Sequence, residues 1–179
     1  TGHDELHGVS RNITERRKAE ERIRHMAHYD LLTDLPNRAL FFELVAKALA
    51  LAKRNQAHAA LLFLDLDNFK PINDNHGHDI GDLVLQKTAR RLIAAVRESD
   101  AVGRIGGDEF VILLNNLASA DDARMVAEKI RHQIGQPLAV ADKEFTVASS
   151  IGVALYPEHG ADKTELSKHA DMAMYQAKQ

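Results

Sequence analysis

Apolar positions along this chain follow two spacings, which together predict interleaved strands and helices. The continuous apolar run from Ala59 to Asp65 predicts a buried central strand that ends in carboxylates. Two further runs, Ala101 to Ile105 and Phe110 to Asn115, predict a hairpin, and residues Glu144 to Tyr156 predict a strand or a strand pair. Helices that alternate with strands around a central hairpin favour an α+β fold, with an antiparallel sheet packed by helices.

Apolar residues spaced three to four positions apart predict the helices. Ser119 and Asp122 have the spacing of a capping box, and Pro36 suits the first turn of a helix. The predicted helices run from Pro36 to about Lys53, from Asp79 to Arg97 (apolar face Ile80, Val84, Thr88, Leu92, Ala95), from Ser119 to about Gln133, and along Leu166, Ala170, Ala173 and Ala177 at the end of the chain.

The first 29 residues differ from the rest because they carry few apolar positions. Residues 1–13 are polar, and a charged run begins at Thr14, which predicts a helix over residues 14–29 with Thr14 as its cap. Arg17 and Glu21 have the (i, i+4) spacing of an ion pair. Such a helix is either a solvated charged helix or a signalling connector, and it has too few apolar residues to bury itself within one chain.

Composition and charge exclude several classes of function. Apolar residues make up 45 % of the chain, charged residues 27 %, and the formal net charge is −3. These values are ordinary for one globular domain with attachments, and the negative charge argues against bulk attraction to nucleic acid or an anionic membrane. The absence of cysteine excludes disulfides and thiolate metal sites. With no apolar run long enough for a membrane span and no signal peptide, we expect a cytoplasmic domain, whose parent protein can still carry membrane segments.

The hairpin turn carries the strongest chemical signal. Gly106 and Gly107 form a tight turn, because glycine accepts a positive φ without steric cost. Asp108 and Glu109 follow at once, where the strand begins, and two adjacent carboxylates are unfavourable there unless a cation meets them.

A second acidic group, Asp65 and Asp67, ends the predicted central strand, and its alternation places both on one side. Taken alone, the pair is either an Asp-rich turn or part of a site for a hard cation. In one sheet with the hairpin, however, it predicts a cluster of three carboxylates. Unit charges 4 Å apart interact by roughly 4 kcal/mol at an effective dielectric near 20, so the cluster favours a divalent ion, Mg²⁺ or Mn²⁺.

Five separated motifs resemble, in order, those of the GGDEF domains, which are diguanylate cyclases. The matching segments are Asp30 to Arg38 (D-x-L-T-x-L-x-N-R), Leu64 to Lys70, Asn73 to Asp82 (N-D-x-x-G-H-x-x-G-D), Gly106 to Phe110 (G-G-D-E-F) and Ala170 to Lys178 (A-D-x-A-M-Y-x-A-K). The resemblance implies a ferredoxin-like, palm-type sheet like that of the nucleotide cyclases. It also implies that two GTP molecules react to give cyclic di-GMP and two pyrophosphates, each 3′-hydroxyl attacking the other α-phosphate in a two-fold homodimer.

By the same resemblance, Asp65 and Asp108 are metal ligands together with the backbone carbonyl of Leu66, with two Mg²⁺ or Mn²⁺ ions in each active site. Glu109 occupies the other acidic position, close to the metals and the attacking hydroxyl. Lys70 is implied to steady the developing phosphate charge, although a surface lysine is its ordinary alternative.

The remaining implied roles concern GTP itself. Backbone N–H groups at Asn68 and Phe69 cradle phosphate in a turn nest, and Lys178 reaches the triphosphate. Asn73 and Asp82 bind the guanine edge, and His78 lines the same pocket. A carboxylate that accepts from guanine N1–H and N2–H selects guanine over adenine. Without the resemblance this segment is a polar loop leading into a helix, and its H-x-H pair lacks a third ligand for zinc.

Arg97 and Asp100 precede the signature with five residues between Asp100 and Gly106. Such a pair is either an ordinary helix-end ion pair or, as the resemblance implies at this offset, an inhibitory site that binds the product dimer. The second interpretation predicts feedback inhibition by cyclic di-GMP.

The resemblance also divides the chain. Residues 1–13 resemble the end of a PAS-like sensor domain, residues 14–29 a connector helix, and residues 30–179 a GGDEF domain that stops before the family's G-R-N segment. Two alternatives stay open: a catalytically silent module that binds GTP or cyclic di-GMP beside an EAL phosphodiesterase domain, and a dimerising domain without a ligand.

Overall fold

The structure, a computed structural model, describes residues 3–179, with side-chain surroundings from residue 8 onward. The elements in chain order are α1 (His3–His28), α2 (Arg38–Asn55), β1 (His58–Asp67), α3 (Phe69–His76), α4 (His78–Ala95), β2 (Ala101–Gly106), β3 (Glu109–Leu117), α5 (Ala120–Ile134), β4 (Leu138–Val140), β5 (Lys143–Phe145), β6 (Ala148–Tyr156) and α6 (Lys163–Ala177). Among these described helices, none has the length and apolar character that a bilayer crossing requires.

Four strands form one antiparallel sheet in the order β2-β3-β1-β6, and β4 pairs with β5 in a separate small hairpin. The predicted α+β fold with an antiparallel sheet is therefore confirmed. Strand β1 lies inside the sheet between β3 and β6, and eight of its ten residues are buried, as expected of a strand covered on both faces.

Alternation along β1 divides the core between two faces. Leu62 and Leu64 face α4 and α5, whereas Leu61 and Phe63 face α2 and α6. Each fully buried side chain of this size contributes roughly 1.5–3 kcal/mol. Asp65 continues the second set, so the apolar face that packs on α6 becomes acidic where β1 ends.

Several predicted boundaries were wrong, each for a local reason. Helix α2 begins at Arg38 instead of Pro36, because the Asn37 side chain accepts from the N–H of Leu40 at 3.1 Å. Helix α3 was not predicted, and its second half, Asn73 to His76, lies in the segment interpreted as a polar loop. In α6 the buried face carries Met174 rather than Ala173 and Ala177. The capping box of Ser119 and Asp122 is confirmed at the start of α5.

The N-terminal region is one continuous helix, so Thr14 is not a cap. Its hydroxyl donates to the Ser10 carbonyl at 3.0 Å, inside α1. The ion pairs that form join Arg16 to Glu20 at 3.2 Å and Arg11 to Glu15 at 3.6 Å, instead of the predicted pair of Arg17 and Glu21. The assignment of residues 1–13 to a sensor domain and 14–29 to a connector stays a prediction.

The C-terminal end of α1 is fastened to the rest of the chain. Asn37 donates its backbone N–H to the His28 carbonyl at 2.8 Å and its side-chain amide to the Ala27 carbonyl at 3.0 Å. Tyr29 and Pro36 form a β-bridge, and His25 lies 2.7 Å from an Asp34 oxygen. The direction in which α1 leaves the domain is therefore fixed by several contacts.

Candidate active site

Sheet register brings the predicted acidic residues together at one end of β1. Asp65 pairs directly with Glu109 on β3, and the Leu66 N–H donates to the Asp108 carbonyl at 3.2 Å. Directly paired residues of antiparallel strands project to the same face. The turn before them is tight because Gly107 has a φ of +36°, in the region that favours glycine.

The protein groups around these carboxylates do not fully compensate their negative charge. Burial raises the pKa of the Asp108 carboxyl, and the charge of Asp65 raises it further. Burial also raises the pKa of Glu109, with added repulsion from Asp65, Asp108 and Asp171. The Asp171 carboxyl therefore belongs to the same electrostatic cluster, which the sequence analysis missed although Asp171 lies in the matching C-terminal motif.

Asp65 itself is 7 % exposed, and its two oxygens have different surroundings. Oδ2 lies 2.8 Å from the Lys178 ammonium, whereas Oδ1 is buried without a hydrogen-bond partner. Asp67, on the same side of β1, accepts from the Ser150 hydroxyl at 2.8 Å. Lys178 was predicted to reach the triphosphate, and here it neutralises a carboxylate.

The residues fit a hard divalent cation in charge and in donor type. An orphan carboxylate oxygen, a neighbouring backbone carbonyl and two carboxyl groups with raised pKa values are the donors that Mg²⁺ and Mn²⁺ prefer. Within residues 3–179, no group of three His, Asp or Glu side chains converges as a complete ligand set. Further ligands therefore have to come from backbone, water or substrate phosphate, as is usual for Mg²⁺.

Arg104, which the sequence analysis missed, holds the glycine turn in place. Its Nη1 donates to both carboxylate oxygens of Asp30 at 2.9 and 3.0 Å, and its Nε and Nη2 donate to the Gly107 carbonyl at 2.9 and 2.7 Å. Burial alone would raise the pKa of Asp30, but hydrogen bonds from Thr33 and Arg104 outweigh it and hold the pKa below its ordinary value. The position of Arg104, two residues before the glycines and facing a motif aspartate, is the signal that sequence reading overlooked.

The predicted phosphate-binding residues lie where β1 turns into α3. Asn68 has a left-handed conformation with φ of 57° and ψ of 33°, and Phe69 begins α3 with its ring buried. A left-handed residue followed by helical ones turns successive N–H groups inward, which suits an anion. Lys70 is exposed in the first turn of α3. These placements are compatible with the predicted roles, which stay predictions.

The predicted guanine-binding residues lie on α3 and α4. His78 and Asp82 are both exposed and four residues apart, so they occupy one face of the first turns of α4. Asn73 lies on α3 with its side chain against Gly81 of α4, and its side-chain oxygen is buried without a partner. Gly81 makes room for it, because a Cβ at position 81 would lie 1.7 Å from that oxygen.

Arg97 and Asp100 contact each other through the main chain. The Arg97 backbone N–H donates to one Asp100 oxygen at 3.0 Å, and the Asn115 N–H donates to the other at 2.9 Å. The Asp100 carboxylate thus ties the loop after α4 to strand β3. Arg97 is exposed, and its role in product binding stays a prediction.

An antiparallel sheet covered by helices, with half-buried carboxylates at a glycine hairpin beside a buried carboxylate at the end of the central strand, defines a nucleotide-cyclase-like domain. The family model described as "Diguanylate cyclase, GGDEF domain" matches residues 27–179. The chain therefore belongs to the GGDEF family of diguanylate cyclase domains, and the resemblance noted in its motifs is confirmed.

Two curated relatives with different names share this domain. The diguanylate cyclase TpbB of Pseudomonas aeruginosa is 48 % identical over 156 residues, which cover 86 % of this chain and 36 % of TpbB. The cyclic di-GMP phosphodiesterase PdeR of Escherichia coli is 38 % identical over 168 residues, covering 94 % of this chain and 25 % of PdeR. The chain thus spans about a quarter to a third of the length of these relatives.

Solved structures agree with the fold. The GGDEF domain of TpbB superposes with a TM-score of 0.82 and 46 % identity, covering 84 % of this chain and 88 % of that one. The coiled coil and GGDEF domain of DgcB from Caulobacter crescentus, in complex with c-di-GMP, gives a TM-score of 0.79 and 26 % identity, covering 98 % of this chain and 93 % of that one. The second match includes the region of α1.

Proposed function

We propose that this chain is a catalytically competent diguanylate cyclase domain that condenses two GTP molecules into cyclic di-GMP and two pyrophosphates. The observation that supports this most directly is the group of Asp65, Asp108 and Glu109, which has more negative charge than its protein surroundings neutralise. Structural carboxylates are normally paired with cations or hydrogen-bond donors, so this excess charge suits a site that binds metal and triphosphate.

Asp65, Asp108, Glu109 and the Leu66 carbonyl would hold two Mg²⁺ or Mn²⁺ ions, with Glu109 also near the attacking hydroxyl. Such ions, when bound, neutralise charge on the triphosphate and lower the pKa of the attacking 3′-hydroxyl.

The protein's own groups bind and orient GTP. Lys70 and Lys178 place ammonium charges beside the phosphates, and the N–H groups of Asn68 and Phe69 cradle them.

The guanine base then lies between α3 and α4. Asn73 and Asp82 hydrogen-bond its edge, and His78 lines the pocket. Asp82 accepts two hydrogen bonds that guanine donates and adenine does not, which gives the site its base specificity.

The reaction requires two chains. One domain holds one GTP, so the two half-sites face each other across a two-fold axis, and α1 is suited to set their spacing. The structure of DgcB with its coiled coil and c-di-GMP supports this arrangement by analogy, because it matches 98 % of this chain. An upstream PAS-like sensor acting through α1, and a cytoplasmic location where GTP is supplied, complete the proposal.

Chromatographic separation of the products of GTP turnover with Mg²⁺, at high protein concentration, tests the activity. We expect cyclic di-GMP from the parent protein and none from Asp108→Asn, which keeps the side-chain shape but removes the charge. An exposed acidic residue on α5, replaced as Glu128→Gln, serves as the control and should retain activity.

We further propose that cyclic di-GMP inhibits the enzyme through Arg97 and Asp100. Because Asp100 also accepts two backbone hydrogen bonds, its replacement would disturb the loop, and Arg97→Ala is the cleaner variant. We expect Arg97→Ala to weaken cyclic di-GMP binding and relieve inhibition. Unchanged binding by isothermal titration calorimetry would contradict the proposal.

A second candidate function is a silent module that binds GTP or cyclic di-GMP and regulates a neighbouring phosphodiesterase. The similarity to PdeR, whose name describes a phosphodiesterase, favours keeping it. Fusion of a dimerising coiled coil to α1 separates the two: GTP binding without turnover in the enforced dimer would support the silent module.

A further inference from the structure

The C-terminal end of α6 places a single ammonium group on the predicted metal ligand. Lys178 is the C-cap residue of α6, and its Nζ lies 2.8 Å from Oδ2 of Asp65. The Asp65 side chain is about one-tenth exposed and that of Lys178 about one-third exposed. The carboxylate is therefore fixed in the sheet, whereas the lysine approaches it from the solvent side on a flexible stem.

The surrounding charges explain why the lysine is held there. Asp65, Asp67 and Asp108 all raise the pKa of Lys178, beginning with the hydrogen bond from Lys178 to Asp65. In return, the charge of Lys178 offsets part of the rise in the pKa values of Asp108 and Glu109 that burial and the neighbouring carboxylates cause. One lysine thus offsets part of the repulsion within the whole acidic cluster.

We propose that Lys178 is an internal counter-ion that competes with the divalent metal for Asp65 and is transferred to the GTP phosphates when the metal binds. This inference rests on the proposed function, because it assigns Lys178 two successive partners at that same site. The competition has two causes: the ammonium 2.8 Å from Oδ2 leaves only the buried Oδ1 of Asp65 open to a metal, and its positive charge repels a divalent ion at the same carboxylate.

The contact between Lys178 and Asp65 couples the binding of the metal to the binding of GTP. While Lys178 holds Asp65, its charge is not available to the triphosphate, and metal binding without nucleotide is opposed. With metal and GTP both bound, Asp65 would be among the residues that hold the metal, and the Lys178 ammonium would move from Asp65 to the phosphates. Binding of metal and of GTP therefore strengthen each other, which is a coupling between two ligands of one site.

The test measures Mn²⁺ binding alone, by electron paramagnetic resonance of free Mn²⁺, on the metal-free chain and its variants. Lys178→Met removes the competing charge, and we expect its Mn²⁺ Kd to be lower by about fivefold, the factor that a partly exposed ion pair contributes. Lys178→Arg restores the charge and should return the Kd to within about twofold of the parent value.

The matched control is Lys168→Met, since Lys168 is an exposed lysine of the same helix and its replacement changes the net charge equally. We expect no change in Mn²⁺ affinity. A thermal melt of each variant shows that the fold is intact.

A second measurement separates exchange from simple charge removal. With Mn²⁺ present, Lys178→Met should bind a non-hydrolysable GTP analogue more weakly, so the same substitution strengthens one ligand and weakens the other. An Mn²⁺ Kd of Lys178→Met that is equal to or higher than that of the parent overturns the inference. Failure of both the parent and Lys178→Met to bind Mn²⁺ overturns it as well. Cyclic di-GMP production by the parent protein is scored separately, so the inference can fail while the proposed cyclase activity stands.

Discussion

A close contact between α3 and α4, at Gly81, offers a substitution that should separate binding from stability. At Gly81 an added Cβ would lie 1.7 Å from the Asn73 side-chain oxygen and 3.2 Å from the Phe69 ring. The obstructed atom is the end of a side chain rather than backbone. Gly81→Ala therefore requires Asn73 to turn away by more than 1 Å, because ordinary carbon–oxygen contacts are about 3.3 Å, while the helices stay in place.

Gly81→Ala should change the stability of the fold little and weaken GTP binding clearly. Alanine inside a helix is favoured over glycine by roughly 0.5–1 kcal/mol, which offsets the strain of moving Asn73. We expect the free energy of unfolding to change by less than about 1 kcal/mol. Losing a hydrogen bond to guanine costs about 1–3 kcal/mol, which corresponds to a rise of roughly fivefold to 150-fold in the Kd of GTP.

Isothermal titration with a non-hydrolysable GTP analogue and urea unfolding measure the two effects on the same samples. Gly8→Ala is the matched control, because Gly8 also lies in a helix and has nothing within 4 Å of an added Cβ. Asn73→Ala should reproduce the loss of affinity, and the double variant should add little to it. Normal affinity in Gly81→Ala, with Asn73→Ala impaired, refutes the argument that position 81 places Asn73.

Three further predictions concern the framework of the site. Arg104→Lys keeps the charge but loses the simultaneous contacts with Asp30 and Gly107, so the free energy of unfolding in urea should fall by about 1–3 kcal/mol. GTP turnover should also fall, because the hairpin turn is no longer held in place. Stability equal to that of the parent would contradict this role. The Asp30 pKa is lowered in the folded state, so the ionised carboxylate stabilises the fold above the unfolded pKa of about 4, and this stabilisation is lost as pH falls through the folded value. The Asp30→Asn variant should therefore be less stable than the parent at pH 7 and should lose less stability on acidification. A pH profile of unfolding that runs parallel to that of the parent would count against this role. Gly152→Ala places a Cβ 2.0 Å from the Ala170 carbonyl oxygen and 2.2 Å from the Met174 backbone nitrogen. Because backbone atoms cannot turn aside as a side chain can, the free energy of unfolding should fall by more than about 3 kcal/mol. A melting temperature equal to that of the parent would show instead that α6 shifts freely on β6.

The sheet could be predicted from the sequence because its signals are local. The run from Ala59 is apolar at successive positions, and the two glycines fix the hairpin, so strand identity and antiparallel pairing follow. Helix α3 could not be predicted in the same way, since its eight residues are mostly polar and its buried residue, Phe69, stands at its first position. Tertiary packing overrides local preference in such a short helix.

The site shows the same division. Alternation and register brought Asp65 and Glu109 to one face, which a strand pattern and a hairpin are enough to predict. The contacts of Arg104 with Asp30 and of Lys178 with Asp65 were not predictable from spacing, because each joins residues more than 70 positions apart in the sequence. Long side chains find such partners only after the sheet and helices have assembled.

The fastening of α1 gives this helix the properties of a lever arm. Its 26 residues make a rod about 39 Å long, and its last turn is fixed to the domain through Asn37, Pro36 and Asp34. A tilt of about 10° along such a rod displaces one end relative to the other by about 7 Å. Because its last turn is fixed to the domain, a small tilt of α1 about its N-terminal end would carry the domain with it over about this distance, without any rearrangement inside the domain.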